Sequence, residues 1–93
     1  MTRSESSIIL THCNTQEQIL NCYRLIHTVD AHNGNDVFSI FLSTYDEGEV
    51  DEEFVYDIAR DKDTAMRFFN CLCKEYVTAC TLCDIARDFL AEI

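Results

Sequence analysis

The apolar residues of this chain change their period near Asp61, and that change limits the folds open to it. Upstream they alternate, as in half-buried strands; downstream they recur every three or four residues, as in helices with one buried side. The run Val37-Phe38-Ser39-Ile40-Phe41-Leu42-Ser43-Thr44-Tyr45 is rich in β-branched and aromatic residues and predicts a strand. Asp46-Glu47-Gly48-Glu49 reads as a turn, and over 50–58 Phe54 and Tyr56 alternate with Val55, which predicts another strand. Between 31 and 36 lies a turn cluster whose Asn33-Gly34 is a strong hairpin signal, pairing 21–30 with 37–45.

Residues 16–26 fit two patterns. Ile19, Cys22, Tyr23 and Ile26 have helical spacing, with Thr15 and Gln18 placed like a capping box. Tyr23, Leu25, His27 and Val29 line up as one face of a strand, and the turn cluster that follows favours the strand. Ser7 to Cys13 predicts a short strand ended by Asn14-Thr15, and the polar residues 1–6 are expected to fray, leaving one domain over 7–93.

After Asp61, helices are predicted over 64–76 and 79–92. Asp61 or Asp63 would cap the first, turning Ala65, Phe68, Phe69, Leu72, Cys73 and Tyr76 inward. Thr78 would cap the second, with Ala79, Leu82, Cys83, Ala86, Phe89, Leu90 and Ile93 inward. The expected fold is α+β: a three- or four-stranded antiparallel meander followed by two C-terminal helices packed on one face. Phe41, Phe68, Phe69, Leu72, Leu82, Ala86 and Phe89 are its expected core.

Charge narrows the partners. Seventeen acidic against seven basic residues give a net charge of −10, so the chain has few cations to exchange for counterions on a nucleic acid or an anionic membrane. Its natural partner is a basic protein surface. Six of the eight residues 46–53 are carboxylates: Asp46, Glu47, Glu49, Asp51, Glu52 and Glu53. Such a run is either a solvated edge that discourages aggregation or a mimic of phosphate charge aimed at a basic groove. Phe54 and Tyr56 beside it would anchor binding. A calcium loop is excluded by the spacing of the oxygen ligands.

Six cysteines follow a start in which Ile8-Ile9-Leu10 is far too short for a secretory or membrane-spanning segment. They predict a reducing cytosol, with thiols in the core or on a metal. Cys71, Cys73, Cys80 and Cys83 are the candidate zinc ligands, set against a plain core role for Cys73 and Cys83. Cys71 and Cys73 on one helix would point about 200° apart. Cys80 and Cys83 with His12, Cys13 or His27 would meet more easily. No nucleophile elbow, phosphate loop or metalloprotease motif occurs, so catalysis is not expected.

The hairpin Tyr23-Arg24-Leu25-Ile26 … Val37-Phe38-Ser39-Ile40, then Asp57-Ile58-Ala59-Arg60-Asp61 and Leu82-Cys83-Asp84-Ile85-Ala86-Arg87-Asp88-Phe89-Leu90, resembles a family of short, functionally uncharacterised proteins of clostridia-like Gram-positive bacteria. The resemblance covers about Tyr23 to Leu90, implies a fold and brings no catalytic residues; Ala79 stands where that family is expected to have proline. In size, charge and lack of catalytic motifs the chain is also similar to phage-encoded anti-CRISPR proteins. That likeness implies a cytosolic inhibitor that blocks nucleic-acid loading of a Cas nuclease, such as one of the Cas9 type. The rival expectation is a zinc-stabilised or redox-sensing cytosolic regulator of a Gram-positive bacterium.

Overall fold

The structure is a computed structural model that describes residues 5–91. Four strands, β1 (Glu5–Gln16), β2 (Ile19–Val29), β3 (Asp36–Asp46) and β4 (Glu49–Ala59), form one antiparallel sheet in the order β1-β2-β3-β4. Helix α1 (Lys62–Lys74) follows, then a 3-10 turn (Ala79–Thr81) that runs into α2 (Leu82–Ala91). The expected α+β meander with two C-terminal helices is the observed architecture, and the segment 16–26 is strand and turn.

The connections explain where the boundaries moved. β1 runs on to Gln16 instead of ending at Cys13 because Glu17 and Gln18 both take left-handed backbone angles, the geometry of a two-residue hairpin turn. Neither residue is a favoured one there, so the turn carried no sequence signal. β1 also starts at Glu5, so Glu5 and Ser6 are paired with Val29 and Thr28; the rest of the segment expected to fray, residues 1–4, lies outside the described residues. Asn33-Gly34 does mark the β2–β3 connection, but within a longer loop. The Gly34 N–H donates to the Asp30 carbonyl at 2.7 Å and the Asp30 N–H to the Asn35 carbonyl at 3.0 Å.

Asp61 caps α1, accepting the Thr64 N–H at 2.8 Å. That bond holds the Asp61 carboxyl below its usual range. The helix stops at Lys74, two residues before the predicted end, in a Schellman turn: Val77 N–H donates to the Leu72 carbonyl and Tyr76 N–H to the Cys73 carbonyl. Tyr76 occupies the left-handed position (φ 52°) where glycine is usual, so its ring lies exposed instead of in the predicted apolar face.

Helix-facing residues of the sheet and inward residues of the helices make one core. Tyr23, Leu25, Ile40, Leu42 and Ile58 from the strands meet Ala65, Phe68, Leu72, Leu82 and Ala86. In β4 three residues, Tyr56–Ile58, stand opposite the single residue Ser39, and the Asp57 N–H donates to the Ser39 hydroxyl at 3.2 Å. This bulge, with Asp57 at φ 60°, lets both Ile58 and Ala59 reach the core.

One predicted core residue lies elsewhere, and a second, Phe89, sits at the edge of the core. Phe41 lies on the sheet face away from the helices, because its neighbours Ile40 and Leu42 take the inward positions. Phe89 is half-buried, its ring 4.6 Å from that of Phe68. On α2 Leu82, Ala86 and Phe89 face inward as expected, with Ile85 beside them in place of Cys83 and Leu90, while the predicted helix start at Ala79 is a 3-10 turn whose Ala79 is buried. Cys83 and Leu90 are exposed, and Ile93 lies outside the described residues.

Candidate functional site: the open face of the sheet

Both helices and the turn between them pack on one side of the sheet, which leaves the residues of alternate parity without helices over them, although Val37, Ser39 and Ser43 among them are still buried. Strand register sorts those residues into rows. One runs Thr11–Arg24–Phe41–Phe54 across all four strands, a second Cys13–Cys22–Ser43–Glu52, and a third Thr15–Leu20–Tyr45–Val50. The first row is a continuous ring contact. The Arg24 guanidinium lies 5.7 Å from the Phe41 ring centre, Phe41 is 6.5 Å from Phe54, and Phe54 stacks on Tyr56 at 6.4 Å and 16°. Phe54 remains 49% exposed and Tyr56 52%. With Ile8, Leu20, Tyr45 and Val50, also exposed, they form an apolar surface on one side of the molecule.

The predicted acidic site is divided by strand alternation. Glu52 is on the open face with Phe54 and Tyr56, whereas Asp51 and Glu53 pair with Thr44 and Leu42 on the helix side. Asp46 and Glu49 face each other at the end of the hairpin on that same helix side, and Glu47 forms the turn with Gly48. So the structure brings Glu52, Phe54 and Tyr56 together with Arg24 and Phe41, which sequence reasoning left out of the site. The pairing Arg24–Phe41–Phe54 depends on register across three strands, and no local motif announces it.

The four thiols read as a zinc set are not assembled. Among the described residues no three His, Cys, Asp or Glu side chains form a group able to hold a metal ion. Cys83 donates to the Glu53 carboxylate at 3.2 Å, Cys80 meets the Thr78 hydroxyl at 3.2 Å, and Cys71 faces solvent. Cys73 packs against the core, where burial pushes its thiol up to about 11. The hydrogen bond to Glu53 raises the Cys83 thiol. Cys71, Cys80 and Cys83 are exposed and Cys73 is half-buried.

At the opposite end of the helix side a shallow hollow holds Ile9, His27, Phe38, Arg60 and Lys62. His27 stacks on Phe38 at 4.9 Å and pairs with Asp36 at 2.8 Å, and Arg60 forks onto Asp57 at 3.0 and 3.1 Å. Its lining has no hydroxyl or thiol nucleophile for the His–Asp pair to activate.

Comparison with protein-family models, curated proteins and solved structures finds no match to the chain. No helix among the described residues is long and apolar enough to cross a membrane.

Proposed function

We propose that the chain is a protein-binding module whose docking surface is the open face of the sheet. The observation that carries this reading is the Arg24–Phe41–Phe54–Tyr56 row, a ladder of rings in mutual contact and half exposed to water. Aromatic and arginine side chains held rigid in this way are the usual anchors of protein interfaces. A second copy of the chain is a poor occupant, since two bodies of net charge −10 repel each other. A basic partner fits, with the carboxylate-rich β3–β4 hairpin at the end of the face steering its approach.

The narrower form of this reading is an inhibitor that occupies the basic nucleic-acid channel of an RNA-guided nuclease, working in the cytosol, where six free thiols persist. A cleavage assay with a purified Cas9-type nuclease tests it. Added protein should suppress cutting, the double variant Phe54→Ser/Tyr56→Ser should restore it, and Cys71→Ser on the exposed side of α1 should not. Unimpeded cleavage ends the inhibitor form. A partner bound equally well by the double variant would end the open-face assignment altogether.

A further inference from the structure

The two cysteines outside the zinc-like cluster are the ones the fold brings together. Cys13 on β1 stands directly opposite Cys22 on β2, both on the open face, with their sulfurs 2.8 Å apart. A disulfide has its sulfurs about 2.05 Å apart, with Cβ atoms near the spacing of directly opposed strand residues, so closure asks for a movement of less than about 1 Å. Cys13 is exposed and within reach of a dissolved oxidant, and Cys22 is half-buried behind it. The other four thiols meet other partners or solvent.

We propose that Cys13 and Cys22 form a reversible dithiol–disulfide site, closed by hydrogen peroxide and reopened by an external dithiol. In the closing step the Cys13 sulfur attacks a peroxide oxygen and the O–O bond breaks. The product is a sulfenic acid, and the departing hydroxide takes the thiol proton as water. The Cys22 sulfur then displaces the Cys13 hydroxyl: the S–S bond forms, the S–O bond breaks, and the second thiol proton leaves with it as a second water. Two electrons pass from the thiols to the peroxide, and a dithiol returns two electrons and two protons on reopening.

The placement gives closure a consequence. Among the described residues β1 is an edge strand paired only with β2, and the Cys13–Cys22 bond would staple the two on either side of the Glu17–Gln18 turn. Closing a ten-residue loop in this way raises the folding equilibrium roughly a hundred-fold in the loop-entropy account. Burial and the neighbouring Cys13 sulfur raise the Cys22 thiol, which suits it to the resolving role and leaves the first attack to Cys13. In a reducing cytosol such a bond is transient, as redox-sensing disulfides are.

The test uses the full reduced chain and one equivalent of hydrogen peroxide. Trypsin releases residues 4–24, which carry Cys13 and Cys22 and no other cysteine. That fragment should be lighter by two hydrogens, and its halves should stay joined after cleavage at Glu17 until a dithiol is added. The melting temperature should rise in non-reducing buffer for the wild type and stay fixed for Cys13→Ser/Cys22→Ser. A 4–24 fragment that keeps both thiols while the other cysteines oxidise overturns the proposal, as does Cys13 advancing to sulfinic acid without closure. A melting shift that persists in the double variant overturns the claim that this pair causes it. None of these readouts depends on what the open face binds.

Discussion

The two faces of the sheet are cut from the same four strands, residue by residue, yet they are completed differently. The helix-side face ties its buried polar groups into a connected chain. The Ala79 N–H donates to the Thr44 hydroxyl at 2.8 Å, Thr44 donates to the Asn21 amide oxygen at 2.8 Å, and the Asn21 amide reaches Asn14 at 3.5 Å. Asn14 in turn donates to the Cys73 carbonyl at 3.0 Å, and the Tyr23 hydroxyl to the Val77 carbonyl at 2.7 Å. This chain of bonds ties the end of α1 and the start of the 3-10 turn to β1, β2 and β3, and among the described residues no buried side-chain nitrogen or oxygen is left without a partner. The open face has no such closure: its rings contact one another and then stop at water. The difference is that the helix side is locked by packing and hydrogen bonds, whereas the open side keeps apolar area exposed to water.

Breaking the helix side should cost most. Leu72 is fully buried between α1 and the sheet, so Leu72→Ala should lower stability by about 2–5 kcal/mol in denaturant unfolding. Alkali should strike the same face next. Burial pushes the Tyr23 hydroxyl up to about 12 from its ordinary value near 10, so the unfolded chain loses that proton first as pH rises. The raised Cys73 thiol makes stability begin to fall near pH 9, and Tyr23 adds a fall of about 1.4 kcal/mol per pH unit between about pH 10 and pH 12, the part of the slope that Tyr23→Phe removes. Thr44→Val keeps the shape but orphans the Ala79 N–H and an Asn21 oxygen, a loss of about 1–3 kcal/mol by the same unfolding measurement.

On the open face the same kind of change should do little to folding. Phe54→Ser should cost about 1 kcal/mol or less, the scale of a cross-strand pair at the surface. A cost as large as that of Leu72→Ala would mean that the open face is a second core, and would erase the distinction. The smallest effect on folding is expected from replacing Glu49, Asp51, Glu52 and Glu53 with lysine, which should instead slow association with a basic partner, most visibly at low salt. Glu52→Lys alone should carry more of that slowing than Asp51→Lys, because Glu52 shares the aromatic side. Binding indifferent to both charge and salt would leave the hairpin a solvated edge.

Periodicity was enough to determine the β3–β4 hairpin, the two helices, their order and most of the inward residues of α1, because alternation and the 3.6-residue repeat are local properties of the chain. Net charge and the acidic run were equally local. What only the tertiary structure decided depends on which residues become neighbours across strands. The unsignalled Glu17–Gln18 turn set the β1–β2 register, which put Cys13 opposite Cys22 and Asn14 opposite Asn21. The Schellman turn at Tyr76 ended α1 early and left Tyr76 exposed, and Cys83, which spacing placed inward, is exposed as well. Register and alternation then split the carboxylates between two faces and gathered Arg24, Phe41, Phe54 and Tyr56 on one of them. A strand carries its alternation in its own sequence, but the identity of the residue beside it is fixed only when hydrogen bonds between distant segments close.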